Sequence, residues 1–205
     1  MIKAFLLIIE PVPTWDRIVA AQRKWGSILL GHVVPVLLLV SFVEGYGLVH
    51  WGKPRGEVPH NQKFSITQAA IFEAAQFILS VAIVFLGAKL LKALGETFHG
   101  RHTFGQTFTL AAYSLTPLFV LRMLDAFSAI SPWLTWGVGI VLSSTVLYSG
   151  LPRVMQPDPP HAFGLYLISV VLLLIISGLG CFLTTWYLQG KFPALDQLAR
   201  RLSGP

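Results

Sequence analysis

Apolar runs long enough to cross a bilayer recur along this chain, at about residues 27–49, 67–94, 104–127, 133–151 and 162–188. A membrane helix needs ~20 predominantly apolar residues to traverse hydrocarbon. Within lipid its backbone polar groups must be satisfied internally. The expected fold is therefore all-α: a polytopic membrane protein built as a five-transmembrane-helix bundle. Composition agrees. Of 205 residues, 54% are hydrophobic and 12% charged, against ~25% charged in soluble domains. Mean hydropathy is +0.68, more apolar surface than a soluble core of this size can bury.

Residues 1–26 read as an interfacial, amphipathic N-terminal segment. The run Ala4 to Ile9 is too short to span, and Glu10, Pro11 and Pro13 follow it without a convincing cleavage site, so it is expected to be retained rather than removed as a signal peptide. Thr14 is expected to cap a short helix with Trp15, Ile18, Val19 and Trp25 set against Asp16, Arg17, Arg23 and Lys24, a mixture suited to the membrane interface. Residues 27–188 form the transmembrane domain. Its connections are a polar stretch up to Ser65, a short link at Ser131-Pro132, and a proline-rich turn from Leu151-Pro152-Arg153 to Pro160. Residues 189–205 read as a short amphipathic tail.

Five crossings place the termini on opposite faces. With the N-terminus inside, the cytoplasmic basic residues are the 8 positions Lys3, Arg17, Arg23, Lys24, Lys89, Lys92, Arg101 and Arg153. The other face holds 7: Lys53, Arg55, Lys63, Arg122, Lys191, Arg200 and Arg201. The excess favours a cytoplasmic N-terminus by one charge. The net charge of +6 is spread singly over short connections, which suits anionic lipid headgroups better than nucleic acid. Cys181 is the single cysteine, which excludes an intrachain disulfide.

The third run contains Ala112-Tyr113-Ser114-Leu115-Thr116-Pro117. Proline removes a backbone donor and clashes with the preceding turn, so a break in the membrane helix is expected here, with Tyr113, Ser114 and Thr116 as candidate partners for the freed carbonyls. Small and polar residues recur at helical spacing in the second run (Glu73, Gln76, Ser80, Gly87) and the third (Thr107, Ala111, Ser114, Arg122, Asp125). Such stripes favour close helix packing, as do Gly139-x-x-x-Ser143 and Ser177-x-x-x-Cys181.

Charges at depth are costly, ~2.5–3.5 kcal/mol for one at a helix centre. Glu44, Glu73, Arg122 and Asp125 should fall in one layer near the non-cytoplasmic face, with Arg122 the shared partner of three acids. The alternative is an Arg122–Asp125 pair at i, i+3 that snorkels to the interface. Glu96 with His99 and His102 superficially resembles a metal pair, but zinc needs three or four converging ligands. His32 is expected to hydrogen-bond between helices and His50 to sit at the interface, while Asp158 is expected in a turn. No metal, cofactor or nucleophile–base pair is expected.

Several of these features resemble the Yip family of Ypt/Rab-interacting membrane proteins, in its bacterial branch. They are Pro11-Val12-Pro13-Thr14-Trp15, Phe104-Gly105-Gln106, the Ala112-Tyr113-Ser114-x-Thr116-Pro117 break and Tyr148-Ser149-Gly150-Leu151-Pro152. His99 departs from the pattern, standing where the family often has a glycine. The resemblance implies five transmembrane helices and a cytoplasmic N-terminus, hence a C-terminus outside the bacterial inner membrane. In eukaryotic relatives it implies vesicle trafficking and membrane shaping, a role that does not transfer to the bacterial branch.

The leading expectation is a non-enzymatic protein that organises lipids or membrane-protein partners, with homo-oligomers an option. Arg17, Arg23, Lys24, Lys89, Lys92 and Arg101 are its candidate headgroup contacts. The competing expectation is a small proton- or cation-coupled transporter or channel component using Glu44, Glu73, Asp125 and Arg122, hinged at Pro117.

Overall fold

The computed structural model describes residues 6–7, 9–55, 60–98 and 102–192. The start of the N-terminal run with Lys3, the loop residues His99, Gly100 and Arg101, and the tail with Arg200 and Arg201 lie outside the described residues.

Helix α1 spans Pro11–Ala20. Proline is tolerated in a first turn because those N–H groups have no intrahelical partner. Pro11 and Pro13 therefore open the helix rather than stop the chain. Thr14 consequently lies inside α1 instead of capping it, with Glu10 in the cap position; this corrects the expected boundary.

The first span, α2, runs Trp25–His50. It contains a π-helical turn at Leu29–Val33, placed just before Pro35. Pro35 cannot donate to the carbonyl of Gly31, and the ladder widens so that Val34 N–H reaches Leu29 O. Beyond α2 the connection is more ordered than a polar loop. Strands β1 (Lys53–Arg55) and β2 (His60–Gln62) pair antiparallel with Lys53 opposite Gln62. Gly52 makes the entry possible: its φ is +71°, and a Cβ there would strike the backbone of Gln62.

Helix α3 spans Ile66–Thr97 and opens on a capping box, with Ser65 Oγ accepting from Gln68 N at 3.2 Å and Ser65 N donating to Gln68 Oε1 at 3.1 Å. The third span is composite: α4 (Phe104–Ser114), α5 (Thr116–Leu121) and a 3-10 turn at Arg122–Ala126. A second capping box, Thr103 with Gln106, starts α4. Helix α6 spans Pro132–Val154 and α7 spans Pro159–Leu188. Pro152 was expected in a turn, yet it lies in the last turn of α6. Arg153 supports that turn by donating to Ser149 O at 2.8 Å.

Among the described residues five helical segments are long and apolar enough to cross a membrane, and the chain is an all-α polytopic bundle. The third span is its central post: 67% of its most apolar stretch is buried, against 22% in the fifth span. Outward faces carry exposed apolar side chains such as Leu30, Phe42, Ile78, Val141, Phe163 and Leu179, as a lipid-facing surface requires. Where backbones approach most closely, glycine stands. A Cβ on Gly47 would lie 2.5 Å from Ala126 Cα, so α2 and the 3-10 turn meet without a side chain between them.

Candidate functional site

The two ends of the bundle are held together differently, and the buried acids and lysine concentrate at the end bearing the β-hairpin. Late in α2, Glu44 is 2% exposed and accepts from Arg122 Nη2 at 2.8 Å. Arg122 also donates from Nη1 to Ser80 Oγ on α3 at 2.8 Å. One guanidinium thus joins three spans. Ser80 can serve as acceptor because its own proton goes to Gln76 O at 2.8 Å. Asp125, one turn beyond Arg122, accepts from Thr135 Oγ1 on α6 at 2.5 Å. Glu73 faces the same layer, within the field of Glu44 and Arg122. Both its carboxylate oxygens are buried without a hydrogen bond, Ser41 lying alongside without hydrogen-bond geometry.

The layer contains a second cation. Lys53, on β1, is 3% exposed and donates from Nζ to Phe127 O at 3.2 Å. Burial pushes its pKa below the usual lysine value, while Asp125 and Glu44 oppose that shift. Three acids therefore share two bases. A cavity of about 50 Å³ lies beside Arg122, Asp125, Ser80 and Gln76, with Leu79, Ile83, Leu118, Phe119 and Trp136 giving it a largely apolar wall. Arg122 turns into the bundle, at 15% side-chain exposure, and pairs across helices. Among the described residues it makes no direct ion pair with Asp125. Cross-helix ties continue at Trp136 Nε1, which donates to Ser177 Oγ at 3.1 Å.

Aromatic contacts hold the opposite end. Trp15 was expected at the lipid interface but is 0% exposed, sitting against Gly150 and donating from Nε1 to Val146 O at 3.1 Å. An indole that finds both a carbonyl partner and a fitted apolar seat in protein gains more than one at the headgroups. Asp16 adds an ion pair with Arg153 at 3.0 Å. Tyr113 meets Trp15 edge-on at 6.1 Å and stacks on His32 at 4.2 Å. His32 Nε2 lies 2.9 Å from Thr116 Oγ1, whose proton goes to Ala112 O at 2.8 Å. Thr116 has one proton, so the arrangement makes His32 Nε2–H the donor. At the Pro117 break, Thr116 alone of the three expected hydroxyls bonds a backbone carbonyl. Ser114 Oγ is buried without a partner, and Tyr113 makes no hydrogen bond among the described residues.

Arg17, Arg23, Lys24 and Lys89 are exposed; Lys92 is half-exposed and pairs with Glu96 at 3.4 Å. Arg101 and His99 lie outside the described residues. His102 packs against Gly95 and interacts with Glu96. Among the described residues no group of three His, Cys, Asp or Glu is placed to hold a metal ion. The residues that sequence reasoning missed are Lys53, Ser80 as the second acceptor of Arg122, and Thr135. Only Lys53 left a signal, as a lysine following a glycine directly after a span.

The family model of the Yip1 domain matches residues 5–181. No curated protein and no solved structure matches the chain.

Proposed function

Since this chain belongs to the Yip family of integral membrane proteins, we propose that it is a non-enzymatic organiser of membrane lipids and membrane-protein partners. In this reading it resides in the bacterial inner membrane with the α1 end in the cytoplasm and the C-terminus outside. One observation carries the reading. Trp15 and the Asp16–Arg153 pair fasten α1 to the bundle, while Arg17, Arg23 and Lys24 remain exposed without ion-pair partners among the described residues. Helix α1 is thus a fixed brace that presents a basic rim, flanked by the exposed apolar groups Val12, Val19 and Trp25. A fixed rim differs from the free wedge that amphipathicity alone suggests, because its charges keep one position relative to the spans. Each basic residue near an anionic surface contributes ~1 kcal/mol. The charged layer at the other end serves as a clamp rather than a proton or cation path, because Arg122 and Lys53 stand among its three acids.

The test uses the full-length protein in vesicles with and without phosphatidylglycerol. Native mass spectrometry of the extracted protein should show anionic lipid enriched around the wild type. The Arg17→Gln/Lys24→Gln variant should retain its helix content and lose most of that enrichment. Equal enrichment in both proteins would contradict the reading.

A further inference from the structure

At the α1 end a cavity of about 310 Å³ opens between the α1–α2 connection and α4, within the ~300–1,000 Å³ typical of ligand sites. Its polar lining comes from Gln22, Arg23, Thr103, Gln106, Thr109 and Tyr113, and its apolar wall includes Ile18, Ile28 and Val154. No aspartate or glutamate lines it. Thr103 and Thr109 spend their hydroxyl protons on Gln106 Oε1 and Gly105 O, so the donors left to a ligand are those of Arg23, Gln22, Gln106 and Tyr113. Gln106 spends its Oε1 on Thr103, accepting from N at 2.9 Å and from Oγ1 at 3.0 Å, which leaves its amide NH2 unused. The first turn of α4 presents backbone N–H groups beside side-chain-free Gly105. Arg23 supplies a charge that reaches the Tyr113 hydroxyl. Tyr113 itself is 3% exposed, lines the cavity and has no hydrogen-bond partner among the described residues. Its hydroxyl is open to the cavity, where a ligand oxygen can accept its proton.

We propose that this cavity binds a phosphate group, held by Arg23, the Gln106 amide, the α4 N-terminus and the Tyr113 hydroxyl. The neighbouring cavity of about 350 Å³ shares Val19, Gln106 and Val154, but its Arg153 is already paired with Asp16 and it carries Asp158. The phosphate site lies where the first and third spans begin, and its wall continues along Ile18 and Ile28. A headgroup phosphate can enter with its acyl chains beside that wall, and a free phosphate can enter from water. The proposal rests on the lipid-organising reading in assigning this face to the headgroup region, but its residues differ from Arg17 and Lys24 of the rim.

The experiment measures binding to the full-length protein in phosphatidylcholine nanodiscs, with phosphatidic acid in one arm and inorganic phosphate in the other. Three variants are compared: Arg23→Gln, Tyr113→Phe and, as a rim control, Arg17→Gln. Hydrogen bonds to a charged group support a loss of about tenfold in affinity for each of the first two, while Arg17→Gln should bind inorganic phosphate as wild type and lose only a few-fold for phosphatidic acid, roughly the share of one surface charge. Tyr113→Phe keeps the ring and its stacking, so its loss reports the hydroxyl. Binding in the lipid arm alone identifies a headgroup; binding in both arms identifies the phosphate group from either source. No binding in either arm overturns the proposal. An equal loss in Arg17→Gln and Arg23→Gln also overturns it, leaving the basic rim intact as the basis of lipid preference.

Discussion

The α1 end and the hairpin end of this bundle perform the same mechanical task with opposite chemistry. At the α1 end, Trp15, Tyr113, His32 and a ring cluster of Trp25, Phe85, Phe104 and Phe108 fill the gaps between helices, and Asp16, Arg17, Arg23 and Lys24 stay outside. At the hairpin end, Glu44, Arg122, Asp125 and Lys53 are drawn inward and tie α2, α3, α6 and β1 to the third span. Aromatic packing tolerates an open cavity beside it, because no buried charge depends on its closure. A charged layer does not: removing one member strands another in low dielectric. The comparison places adaptability at the α1 end and rigidity at the hairpin end.

Four substitutions probe this contrast, in descending order of expected effect. Arg122→Ala removes the shared donor and leaves Glu44 buried and uncompensated. It should destabilise the protein by ~3–5 kcal/mol, read from equilibrium unfolding in mixed micelles; wild-type stability would show that the layer holds nothing together. Trp15→Ala empties a seat that is fully enclosed and removes the indole's hydrogen bond to the Val146 carbonyl. A cost of ~3 kcal/mol is expected, together with faster proteolysis before Trp25 while the spans stay protected. If cleavage there is as slow as in the wild type, α1 is not braced by its tryptophan. Gly47→Ala pushes a methyl into the Ala126 backbone, and overpacking costs ~1–3 kcal/mol. Gly26→Ala meets nothing within 4 Å and is the matched control.

The smallest effect is pH dependence at His102. Burial lowers its pKa below 6.5, against the opposing charge of Glu96. A histidine with a depressed folded pKa binds fewer protons folded than unfolded, so stability rises with pH through the window from the folded pKa up to 6.5. Below that window the penalty is fully present. His102→Gln should flatten this part of the stability curve, and an unchanged slope would assign it to other groups.

The five spans were legible because lipid demands long uninterrupted apolar runs, and the Pro117 break because proline always lacks a backbone donor. Glu44, Glu73, Arg122 and Asp125 could be placed in one layer from span direction and depth alone. Lys53 could not, since its burial follows from a hairpin that folds back over the span ends, and short strands of Lys, Pro, His and Gln carry no periodic signal. Trp15 was misplaced for a related reason. Amphipathic spacing reports which face of a helix is apolar, and lipid and protein are both apolar destinations. What decided between them was Gly150, 135 positions later, whose missing side chain leaves room for the indole. The π-turn before Pro35 likewise depends on how the ladder redistributes around a lost donor.

The central claim is that the hairpin end is clamped by mutual charge satisfaction across helices. A double-mutant cycle on Glu44→Leu and Arg122→Met tests it most directly, by equilibrium unfolding of the full-length protein in mixed micelles. The account predicts that each single change destabilises strongly, and that the double variant recovers ~2 kcal/mol or more relative to the sum of the two. Strictly additive costs would contradict it, because they would mean that Glu44 and Arg122 are buried side by side without answering each other.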